Sequence, residues 1–90
     1  MSSRAVEVVV HGRVQGVFFR DSCRAEAQRA GVAGWVRNEP DGTVRARLEG
    51  DPEAVGRVLA WAENGPPHAE VERVEVEEVA PSGLGEFRVR

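Results

Sequence analysis

This chain of 90 residues predicts an α+β fold: a ferredoxin-like β-α-β-β-α-β sandwich, with two helices on one face of an antiparallel four- to five-stranded sheet. Three observations carry the prediction. The strand-like runs alternate apolar and polar residues, as strands with one solvated face do. Two helix-like runs carry apolar stripes at spacings of three and four and stop at glycine or proline. Turn residues separate these runs in the stated order.

Residues 5–11, AVEVVVH, set Val6, Val8 and Val10 on one strand face and Glu7, Val9 and His11 on the other. Residues 12–20, GRVQGVFFR, then turn the chain toward a helix expected from Asp21, whose stripe is Phe19, Cys23, Ala27 and Ala30 and whose cap is Gly31. Residues 34–38, GWVRN, read as a short strand that ends at a turn built from Pro40, Asp41 and Gly42. The next strand, residues 43–49, turns Val44, Ala46 and Leu48 inward and Thr43, Arg45, Arg47 and Glu49 toward solvent.

A second helix begins at Asp51 as cap, with Pro52 and Glu53 in its first turn. Its stripe is Val55, Val58, Leu59 and Ala62, and Gly65, Pro66 and Pro67 end it. Residues 70–80 are strand-like, but Val74 and Val76 share one parity while Val71 and Val79 share the other, which predicts a bulge or a frayed edge. After the PSGLG loop, Phe87 and Val89 form a short last strand.

With 41% hydrophobic and 30% charged residues in no long like-charge block, the chain reads as one globular domain over residues 1–90. With no long apolar run, neither a membrane span nor a secretory leader is expected. Cys23 has no second cysteine to pair with, so a reducing, cytoplasmic setting is expected. The net charge of −3 argues against a nucleic-acid partner, so any anion site must be local. No exposed apolar stripe stands out, and a monomer is expected. All basic residues are arginine, which excludes a lysine-dependent phosphate loop and Schiff-base chemistry.

Residues 12–20 have the composition of an anion cradle. Glycine lets the backbone approach a ligand, the free N–H groups of a helix start point at it, and Arg20 adds a charged fork matched to phosphate or carboxylate. The plainer reading is a strand-to-helix turn with a solvated arginine. Asn38 closes the second strand, either as a turn initiator bonded to its own backbone or as a group that reaches the cradle; spacing leaves both open. His11 and His68 lack a serine in a nucleophile-elbow context and lack metal-ligand neighbours, so neither a triad nor a metal site is expected. Cys23 lies on the helix's apolar stripe and reads as a core residue, with a thiol role as the lesser alternative.

Residues 12–20, GRVQGVFFR, and residues 34–50, GWVRNEPDGTVRARLEG, resemble the two signature stretches of the acylphosphatases, with Asn38, Gly42, Val44 and Gly50 at the family's spacing. Trp61, the pair Gly65 and Pro66, Ala69, Val71, Val74 and the closing FRVR extend the similarity over nearly the whole chain. Cys23 departs from it, where relatives often carry a hydroxyl. The resemblance implies hydrolysis of a small-molecule acyl phosphate to a carboxylate and inorganic phosphate, with no metal and no cofactor. It implies that the loop residues Gln15, Gly16, Val17, Phe18, Phe19 and Arg20 hold the phosphoryl group. It further implies that the second strand brings Asn38 to that loop to position the attacking water, and that phosphate or sulfate competes for the site. A non-catalytic module binding phosphate or carbamoyl phosphate on the same fold is the alternative. An RNA binder would need paired aromatics on the central strands, which carry Val44, Ala46 and Leu48 instead.

Overall fold

The computed structural model describes residues 3–90. Its elements are β1 (Arg4–Arg13), α1 (Phe19–Ala30), β2 (Ala33–Asn38), β3 (Val44–Gly50), α2 (Pro52–Ala62), β4 (Glu70–Val79) and β5 (Phe87–Val89). The sheet runs β4-β1-β3-β2-β5, so β1 and β3 are central. Both helices pack on one face, over Val6, Val8 and Val10 of β1, Val36 of β2, and Val44, Ala46 and Leu48 of β3. Phe19, Cys23 and Ala27 of α1 meet Ala54, Val55, Val58 and Ala62 of α2 above them. The small residues of α1 let it lie close to the sheet, and the Phe19 and Trp61 rings close the far end with centroids 5.1 Å apart.

The sheet departs from the expected antiparallel one at a single edge. β1 pairs antiparallel with β3 and β4, and β2 antiparallel with β3, but β5 pairs parallel with β2, Gly34 opposite Phe87 and Val36 opposite Val89. The cause is the segment after β4: it crosses to the opposite edge and enters β5 in the direction of β2, so the sheet is mixed. That crossing also corrects the placement of Glu49, expected in solvent and found 5% exposed. Its carboxylate accepts the main-chain N–H groups of Ser82, Gly83 and Leu84 at 3.0, 2.6 and 3.1 Å, while Arg47 donates to the carbonyl of Ala80 at 2.7 Å.

The mixed parity of β4 resolves as a bulge. His11 faces Arg73 but Gly12 faces Val71, so Glu72 is the extra residue, and Val71 returns to the helix-covered face with Val74 and Val76. α1 starts at Phe19, two residues before the expected Asp21. In β2, Gly34 is needed for close approach: its φ is 144°, and a Cβ there would lie 1.8 Å from the carbonyl oxygen of Arg47.

Candidate active site

β1, β2 and α1 meet at the end of the sheet opposite the Glu49 crossing. Between β1 and α1 the chain is pinned by Val14 and Val17, both buried, so the backbone around them is turned outward. Positive φ recurs at Gly16 (73°) and Phe18 (63°), on either side of Val17. Alternation of this kind gathers successive N–H groups into a concave, anion-binding surface. Phe18 is the residue before α1 and offers no capping side chain. Among the described residues, the N–H groups of residues 16–21 donate to no protein acceptor; the first bonded one is Ser22, to the Phe18 carbonyl at 3.0 Å.

Arg20 lies one residue into α1, exposed, and forms no ion pair among the described residues. Asn38 ends β2 opposite Val44. Its side-chain oxygen Oδ1 is buried and has no hydrogen-bond partner. Both residues line one cleft of about 340 Å³, together with Val14, Gly16, Phe18, Phe19 and Asp21. The structure therefore brings β2 to the loop, the alternative that spacing alone left open.

Of the residues singled out in the sequence, Gly16, Phe18, Phe19, Arg20 and Asn38 share this cleft, whereas Gln15 and Val17 do not line it. Val17 is an anchor in the core. The side-chain amide of Gln15 is committed elsewhere, donating to the carbonyls of Glu39 at 2.8 Å and Thr43 at 2.9 Å. Sequence reasoning missed Val14 and Asp21. The signal for Asp21 was its place beside Arg20 in the first helical turn; for Val14 it was an apolar residue in a loop that otherwise needs none.

Among the described residues, no three His, Cys, Asp or Glu side chains converge to hold a metal ion, and no helix is long and apolar enough to cross a membrane. Cys23 faces the core, and burial pushes its thiol up to about 12. A groove of about 490 Å³ runs between α2 and β4, lined by Leu59, Val71, Val74 and Val76 with Glu63, Glu72 and Arg73.

Known proteins are similar to this chain in sequence and in fold. The acylphosphatase family model matches residues 6–89. An acylphosphatase of Rubrobacter xylanophilus is 59% identical over 81 residues, 90% of this chain and 74% of its own length. The fold is similar to an acylphosphatase structure from Coxiella burnetii, with a TM-score of 0.94 and 38% identity over 98% of this chain and 93% of that one. It is equally similar to the acylphosphatase of Bacillus subtilis, with a TM-score of 0.94 and 34% identity over 97% of this chain and 98% of that one. On a match that spans both the loop and the strand carrying Asn38, the chain belongs to the acylphosphatase family.

Proposed function

We propose that the protein is an acylphosphatase, hydrolysing acyl phosphates to a carboxylate and inorganic phosphate, with the phosphoryl group held by the loop and Arg20 and the water oriented by Asn38. The observation that carries the assignment of roles is the buried, unpartnered Oδ1 of Asn38 in the same cleft as the loop's free N–H groups. A buried acceptor without a partner costs about 1–3 kcal/mol, so this oxygen favours a donor beside it. A water that donates one hydrogen to Oδ1 keeps a lone pair free for phosphorus.

The reaction then needs little beyond placement. Phosphoryl transfer spreads charge over the equatorial oxygens, and preorganised donors stabilise that charge. The N–H groups of residues 16–20 and the Arg20 guanidinium supply those donors. The water oxygen bonds to phosphorus as the bond to the acyl oxygen breaks. The electron pair leaves on the carboxylate, and the water's protons stay with the phosphate and solvent. A carboxylate is a good leaving group, so no general acid is required. Charge neutralisation falls to Arg20 and the amides, which supports a metal-independent reaction. A small acyl phosphate is the partner, phosphate and sulfate compete for its site, and the protein acts as a cytoplasmic monomer without nucleic acid.

The test is phosphate release from benzoyl phosphate and acetyl phosphate with EDTA present, inhibited competitively by added phosphate. Absence of release above background at micromolar protein would overturn the reading.

A further inference from the structure

The largest exposed apolar side chain among the described residues sits at the mouth of the cleft, in a backbone conformation that disfavours it. Phe18 is 75% exposed, against 46% for Val76 and 40% for Leu84. It is the one described non-glycine residue with positive φ. A left-handed conformation at a residue with a Cβ is strained, and glycine at this place would shape the loop equally well. Packing does not explain the ring, which is absent from the core cluster and from the aromatic pair of Phe19 and Trp61. Strain retained at a cleft points toward a ligand, and here the strained residue is the one whose ring lines that cleft.

The cleft also has room to spare. A phosphoryl group, four heavy atoms each near the size of a water, needs on the order of 100 Å³ at about 30 Å³ per water. The cleft offers about 340 Å³. Its polar members are Arg20, Asp21 and Asn38, and its apolar members are Val14, Phe18 and Phe19. We infer that Phe18 is a specificity-determining residue that contacts the acyl group, so that acyl phosphates with an aromatic or bulky apolar acyl part are preferred over acetyl phosphate. The inference rests on the acylphosphatase reading above.

The test compares wild type with Phe18→Gly and Phe18→Leu on benzoyl and acetyl phosphate. Glycine keeps the loop's N–H groups and relieves the strain, while leucine keeps an apolar surface. The ratio of kcat/KM for benzoyl over acetyl phosphate is expected to fall about three- to tenfold in Phe18→Gly, mainly through KM for benzoyl phosphate, and to recover in part in Phe18→Leu. An unchanged ratio, with both substrates still turned over or both slowed equally, overturns the inference and leaves the activity standing. Failure of wild type on both substrates overturns the activity itself.

Discussion

Gln15 donates a side-chain amide hydrogen to the main-chain carbonyl of Glu39 at 2.8 Å, one residue beyond Asn38. Its other hydrogen goes to the carbonyl of Thr43 at 2.9 Å, so one side chain ties the β1-α1 loop to both arms of the β2-β3 turn. Those carbonyls also accept main-chain bonds from Gly42 and Glu39 and are not orphaned by its loss. Gln15→Ala should therefore cost stability only about 1 kcal/mol. It should lower kcat about tenfold, because the water-bearing group drifts from the anion site, while KM changes little. On an Asn38→Ala background the same change should have almost no further effect on kcat, since the two act as one unit. Additive losses in that double-mutant cycle would refute a positioning role.

Arg20 and Asn38 should separate kinetically. In the proposed mechanism Arg20 meets the anion in ground and transition states alike, so in Arg20→Ala the KM and the phosphate inhibition constant should rise as kcat falls. Asn38→Ala should leave phosphate inhibition near wild type and reduce kcat on the order of a hundredfold, as loss of a preorganised group does. Near-normal turnover in either variant would contradict the assigned roles, and unaltered circular dichroism would show the fold intact.

What the sequence disclosed depended on periodicity. The alternation of Val6, Val8 and Val10, and the stripe of Phe19, Cys23 and Ala27, are local signals, and both land in the core. The direction of β5 was not legible, because three residues carry no record of the edge they join. Glu49 followed the alternation correctly onto the outer face but is buried there by a segment more than thirty residues later in the chain, a contact that no local pattern encodes. At the site, Gly16 announced its positive φ, whereas Phe18 adopts one against its preference. The committed amide of Gln15 and the lone oxygen of Asn38 likewise depend on the turn geometry that brings them together.

Cys23 should behave as core, not as a thiol reagent's target. It is 3% exposed, and burial raises its thiol to about 12, leaving almost no thiolate at neutral pH. A disulfide reagent at pH 8 should label native protein only at the rate of unfolding and label it fully in denaturant. Rapid stoichiometric labelling of the native state would show that α1 opens locally.

Glu49 should make the crossing segment sensitive to acid. Its carboxyl is held below the usual carboxylate range, first by the N–H of Ser82, against the opposing effect of burial, with Gly83, Leu84 and Arg47 adding to the lowering. A group whose pKa is depressed by folding stabilises the native state above its unfolded value, near 4.3 for glutamate, and loses that contribution as pH falls through the folded value. Glu49→Gln cannot be ionised and keeps one acceptor oxygen, so it should be less stable than wild type at pH 7 by about 1–3 kcal/mol. That gap should narrow below about pH 4 as the wild-type carboxyl takes up its proton. Other carboxylates with lowered values, Asp41, Glu75 and Glu78, titrate in both proteins and cancel in the difference. Thermal unfolding of the pair between pH 3 and 7 checks this. A constant gap across that range would mean the segment is held by packing and by Arg47, with the charge of Glu49 contributing nothing.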